Sequence, residues 1–111
     1  MWEDLISALT ETGLPFAHFA WTSTPGTSAE VNRDHGVYAE DDEIALSANN
    51  KRAETVIEGT IDYYTRDDSG LPKRTIETAL DNHNVPFRVE SIQYEDDTGF
   101  IHYEWVFQVV G

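Results

Sequence analysis

Three pairs of adjacent aspartates, Asp41-Asp42, Asp67-Asp68 and Asp96-Asp97, and four histidines, His18, His35, His83 and His102, are the side chains of this sequence best suited to chemistry. Carboxylates held together bind hard cations or share a proton at shifted pKa. Imidazoles ligate metals or relay protons. The spacing argues against both uses. Each Asp pair falls in an expected turn, adjacent aspartates point in different directions, and a calcium loop needs oxygen ligands at alternating positions around a turn glycine. The pairs therefore read as solvated or partner-facing surface. The histidines lack H-E-x-x-H or any similar ligand spacing, and isolated histidines in strands are usually structural. There is no G-x-S-x-G elbow, no glycine-rich phosphate loop and no nucleophile with a recognisable base. The sequence points to a protein that is not an enzyme and has no metal or cofactor.

The bases are fewer. Lys51 and Arg52 follow an expected turn, and Lys73 and Arg74 occupy the first turn of an expected helix, where positive charge opposes the macrodipole unless an acid answers it. They read as solvated charge, or as partners for acidic turns on a neighbouring copy. Asp and Glu total 21 against 7 Lys and Arg, a formal charge of −14 in 111 residues. That balance disfavours direct binding to a nucleic-acid backbone or an anionic membrane face. The 13 aromatics, counted as 3 Trp, 5 Tyr and 5 Phe, and several periodic apolar runs argue for one folded domain rather than an acidic disordered chain. Without cysteine, disulfides and thiolate metal sites are excluded. The first residues carry acids where a signal peptide would carry bases, and no apolar run approaches the ~20 residues that span a bilayer. The expectation is a protein made and kept in a cytoplasm.

The elements that position these residues follow from periodicity. Trp2, Leu5, Ile6 and Leu9 make one apolar helical face, closed by Gly13. Residues 16 to 21, FAHFAW, read as a strand. Residues 22 to 34, rich in small and turn-forming types, read as a long functional loop that orders on contact with a neighbour. Residues 35 to 48 read as two short strands around an acidic turn at Asp41 and Asp42, with Val37 and Ala39, then Ile44 and Leu46, inward. Thr55, Ile57, Gly59, Ile61 and Tyr63 form the packed face of a central strand. A second helix carries Pro72 in its first turn and Ile76, Ala79 and Leu80 on its apolar stripe, ending at Asn82 or Asn84. Strands at about 87 to 94 and 100 to 110 form a hairpin, the second with a core face of Ile101, Tyr103, Trp105, Phe107 and Val109, while the parity change in the first, from Val85, Phe87 and Val89 to Ile92 and Tyr94, reads as a bulge near Glu90 or Ser91 or as two differently buried faces. The expected fold is α+β: a largely antiparallel or mixed sheet flanked by two helices, in the order α-β-β-β-β-α-β-β.

The segment IEGTIDYYTRDDSGLPKRTIETALDNHNVPFRVESIQYEDDTGFIHYEWVFQV resembles the C-terminal half of the tail terminator, or tail completion, proteins of long-tailed bacteriophages. The features that carry the resemblance are a strand leading to YTRDD, a helix ending near ALDNHNVPF, and the hairpin QYEDDTGFIHYEWVF. The front half is similar through its short helix, TGLPFAHFAW, and GVYAE leading into an acidic hairpin. The resemblance implies a structural virion protein at the head-tail interface, assembled in the host cytoplasm. As a ring, generally a hexamer, it would cap the tail tube and dock to the head-tail connector or stopper protein. DNA would pass through without specific binding, and no membrane is involved. On that basis Asp41, Asp42, Asp67 and Asp68 are candidates for lining an acidic channel, which would repel the DNA backbone. Pro25, Gly26, Val31, Arg33, Lys51, Arg52, Lys73, Arg74, Asp96 and Asp97 are candidates for contacts with subunits or partners. Two other readings fit the same acidity: a DNA mimic that occupies the basic groove of a host nucleic-acid enzyme, and another neck protein that joins head to tail.

Overall fold

The computed structural model describes the backbone of residues 2–19, 33–48 and 51–110, and the side chains of these residues outside 44–54. Among the described residues, two helices and five strands follow one another as α1 (Trp2–Glu11), β1 (Phe16–His18), β2 (His35–Ala48), β3 (Lys51–Thr65), α2 (Leu71–Asn82), β4 (Phe87–Tyr94) and β5 (Ile101–Val110). The fold is α+β. These strands form one mixed sheet in the order β1-β2-β3-β5-β4, in which β1–β2 pair parallel and β2–β3, β3–β5 and β5–β4 pair antiparallel.

The helix boundaries follow local chemistry. Glu3 and Asp4 sit in the first turn of α1, where negative charge favours the helix dipole. At its end Gly13 takes φ 70°, and the Thr12 hydroxyl accepts from the Leu14 amide at 3.1 Å. In α2, Pro72 lies in the first turn and the chain leaves through Asn84 at φ 57°. Leu5, Ala8 and Leu9 of α1 and Ile76, Ala79 and Leu80 of α2 are buried against Ile61, Tyr63, Tyr103, Trp105, Phe107 and Val109 of the sheet. Ile57 is partly buried at the rim of this cluster. All the buried positions of β3 and β5 share one alternation, so a single face of these strands packs on the core.

Residues 35 to 48 differ from the expected pair of short strands. They run as one strand, and the turn expected at Asp41 and Asp42 is a bulge, marked by a register shift between Glu40 and Asp42. One extra residue redirects the strand without ending its pairing. The expected inward pair Val37 and Ala39 is also reversed. Gly36 and Tyr38 stand opposite Tyr63 and Ile61 on the core face, whereas Val37 and Ala39 stand opposite Asp62 and Thr60. Gly36 hides the alternation because its place in the core is filled from β1: a Cβ there would meet the rings of Phe16 and Tyr63. Ile44 and Leu46 stand opposite Val56 and Glu54, and their side chains lie outside those described. The strand expected over 16 to 21 ends at His18 within the described residues, because Phe19 takes φ 70°. The predicted bulge near Glu90 or Ser91 is present, as a register shift between Val89 and Ser91.

Candidate interaction surfaces

The face of β3 and β5 turned away from the helices carries the polar alternation of the sequence. Tyr64, Asp62, Thr60 and Glu58 of β3 stand opposite His102, Glu104, Val106 and Gln108 of β5. His35, Val37 and Ala39 continue these rows onto β2. At one end, His35, Tyr64 and His102 stack across three strands, with ring centroids 4.8 and 4.3 Å apart. The His102 Nε2 donates to Asp62 Oδ1 at 2.7 Å, while the His35 Nδ1 donates to the Arg33 carbonyl at 2.8 Å. Partial burial raises the Tyr64 phenol above its ordinary pKa, and the nearby charges of Asp62, Glu95 and Glu104 add to that. Asp62 and Glu104 face each other directly, a like-charged cross-strand pair that opposes folding. His102 answers the first, and the second accepts from the Ser91 hydroxyl at 3.3 Å.

The three aspartate pairs divide between two places. Asp67 and Asp68 lie in the turn before α2, and Asp96 and Asp97 lie at the β4–β5 tip. The Arg66 Nε donates to the Thr98 carbonyl at 3.0 Å, and its guanidinium lies 4.1 Å above the Phe100 ring. These contacts bring the two turns together at one end of the sheet. Hydrogen bonds from Ser69 hold the Asp67 carboxyl below its ordinary pKa, as expected of a turn carboxylate that accepts a backbone N–H. Asp41 and Asp42 are elsewhere, exposed on β2, where Asp41 accepts from the Thr60 hydroxyl and Asp42 stands opposite Glu58.

Among the proposed contact residues, Lys73 pairs within its own helix to Glu77 at 3.0 Å, which answers its position in the first turn. Arg74 is exposed beside Glu11, Thr75 and Thr78 in a shallow groove between the helices. Arg33 is exposed, and its neighbour Asp34 ties the chain to the end of β3 by accepting from the Thr65 hydroxyl at 2.6 Å and the Arg66 amide at 3.2 Å. Pro25, Gly26 and Val31 lie outside the described residues, as does the loop segment 22–32. Lys51 and Arg52 are placed by backbone alone at the start of β3.

The remaining histidines hold the margins of the fold. The His18 Nε2 donates to Glu40 at 2.5 Å and the His83 Nε2 to Glu11 at 3.2 Å. These bonds lower the pKa of both carboxyls. Among the described residues, no group of three or more His, Asp or Glu side chains could hold a metal ion. No described helix is long and apolar enough to cross a membrane.

A surface that sequence reasoning missed lies on the edge strand β4. Val89, Ile92 and Tyr94 are 40%, 54% and 65% exposed although they share the core side of the sheet with Trp105, Tyr103 and Ile101. The apolar parity was visible in the sequence. The signal it lacked was that β4 ends the sheet, where these side chains stay exposed. No protein-family model and no curated protein matches the chain.

Proposed function

We propose that this chain is a structural subunit that assembles into a ring and caps the tail tube of a long-tailed phage, ending its growth and presenting a docking surface to the head-tail connector. One observation supports this reading beyond the resemblance. Among the described residues the two helices cover one face of the sheet, leaving an uncovered face of several strands and an apolar edge. Such surfaces fit neighbouring protein rather than a small substrate. Acid at the turns and along β2 suits a passage for DNA, since fixed negative charge repels the phosphate backbone. Asp67, Asp68, Asp96 and Asp97 would act from one end of the sheet, and Asp41 and Asp42 from the uncovered side of β2.

The test is to add the purified chain to tail-tube protein as it polymerises and to measure tube lengths by electron microscopy. Tubes that stop growing with extra density at one end support the cap. Tubes whose length distribution is unchanged across a large excess of chain contradict it. The exposed run Glu40, Asp41, Asp42 and Glu43 favours the second reading, a DNA mimic. In that case the chain would compete with DNA for a host enzyme and leave tube growth alone.

A further inference from the structure

The geometry points to β4 as a self-pairing edge: two copies of this chain join antiparallel along Phe87–Tyr94, about a twofold axis at Ser91, to make one continuous ten-stranded sheet. The inference rests on β4 and not on the ring reading. β4 is the last strand of the sheet, so one side of its backbone has no strand partner among the described residues. An unpaired edge is a template for another strand, and proteins usually blunt it with lysine, proline or a bulge. β4 contains neither lysine nor proline.

Its bulge has the opposite effect here. Phe87 and Val89 have one parity in the sequence, Ile92 and Tyr94 the other, and in a regular strand they would face opposite sides. With Glu90 as the extra residue, all four stand on the same side, opposite Phe107, Trp105, Tyr103 and Ile101. Leaving out Glu90, the strand has seven positions that read the same chemistry from either end. A twofold axis at the middle one sets Ser91 against its own copy, Val89 against Ile92, Arg88 against Gln93 and Phe87 against Tyr94. Every apolar residue then meets an apolar residue on the same face, as cross-strand packing requires. No two like charges stand opposite each other.

Charge identifies a second copy as the occupant. A chain of −14 associates with itself only where charge is cancelled. β4 meets that condition, since its one base, Arg88, pairs with its one acid, Glu90. A highly basic partner would gain nothing at this strand that the acidic surfaces do not offer more strongly. An edge contact of this length falls at the small end of specific interfaces, so the dimer is concentration-dependent and strengthens as salt screens the remaining repulsion. In a sixfold ring the twofold contact would join two rings or hold free chains in pairs.

The absence of cysteine makes the test direct. Ser91→Cys, oxidised as the full chain, is expected to give a covalent dimer. A mixture of Val89→Cys and Ile92→Cys chains is expected to give more covalent dimer than either chain alone. The two arms probe adjacent positions, one of which has the closer cross-strand spacing suited to a disulfide. Ile92→Lys is expected to leave the chain monomeric at concentrations where the native chain pairs, with its thermal midpoint retained. Cross-linking in neither arm, or a native chain that stays monomeric at high concentration and salt, overturns the inference. Loss of a sixfold assembly in Ile92→Lys without cross-linking in either arm also overturns it, by assigning β4 to a head-to-tail ring contact. A dimer that cross-links while tube growth is unaffected supports this pairing and contradicts the cap alone.

Discussion

The two faces of β3 and β5 are built from the same backbone ladder and obey different rules. On the helix side, Ile61, Tyr63, Trp105 and Phe107 are fully or almost fully buried, and the Trp105 Nε1 donates to Glu77 at 2.9 Å. On the other side, stacked rings, carboxylates and hydroxyls satisfy one another in partial exposure. The first face makes the domain fold, whereas the second, which no described helix covers, can change with little loss of stability. Substitutions of similar size should therefore have very different effects on the two sides.

The largest effect is expected from Trp105→Ala, which empties the centre of the core and takes one donor from the Glu77 carboxylate, leaving it Lys73. A loss of about 3–5 kcal/mol is expected, against a total of about 5–15 for a domain of this kind. Chemical denaturation measures it, and an unchanged midpoint would remove Trp105 from the core. Next is Gly59→Ala, where the added Cβ would meet the Ala39 carbonyl and the Phe107 ring. Overpacking at such a site costs about 1–3 kcal/mol. Stability equal to the native chain would show that β2 and β3 can part locally without cost.

On the open face, Tyr64→Ala breaks the stack between His35 and His102, and about 0.5–1.5 kcal/mol is expected from the lost aromatic contacts. A loss as large as that of Trp105→Ala would erase the distinction between the faces. The smallest effect concerns pH. Bonds from His18 and His83 depress the pKa of Glu40 and Glu11 from 4.5. A depressed carboxyl contributes stability that is present above the unfolded value and lost as pH falls through the folded one. Melting temperatures should therefore fall slightly as pH drops below about 4.5, and Glu11→Gln with Glu40→Gln should flatten that slope. Both groups are exposed or nearly so, and screening keeps the difference small.

The core was legible because long apolar alternation leaves few choices. Trp105 and Phe107 in β5, Ile61 in β3 and Ile76 and Leu80 in α2 all fall on periodic stripes, and all are buried. In β2 one residue type masks the period: Gly36 contributes no side chain to its own core position, and Phe16 fills it from another strand. The acidic run at Asp41 and Asp42 suggested a turn, yet a strand with one open face tolerates consecutive acids at a bulge. Surface placement was less legible still. The sequence could show that Ile92 and Tyr94 share a parity, but strand order decides whether that parity is covered, and strand order comes from long-range pairing.

If the chain works by assembling, its mass in solution must depend on concentration and on salt. Native mass spectrometry across protein concentration and salt tests it most directly. As salt rises from 0.01 to 0.15 M the Debye length shrinks from ~30 to ~8 Å, so repulsion between the −14 charges weakens. Growth with concentration and salt from monomer to assemblies that include a sixfold species is expected. A chain that remains monomeric throughout, and instead forms a stoichiometric complex with a DNA-processing enzyme, would contradict it.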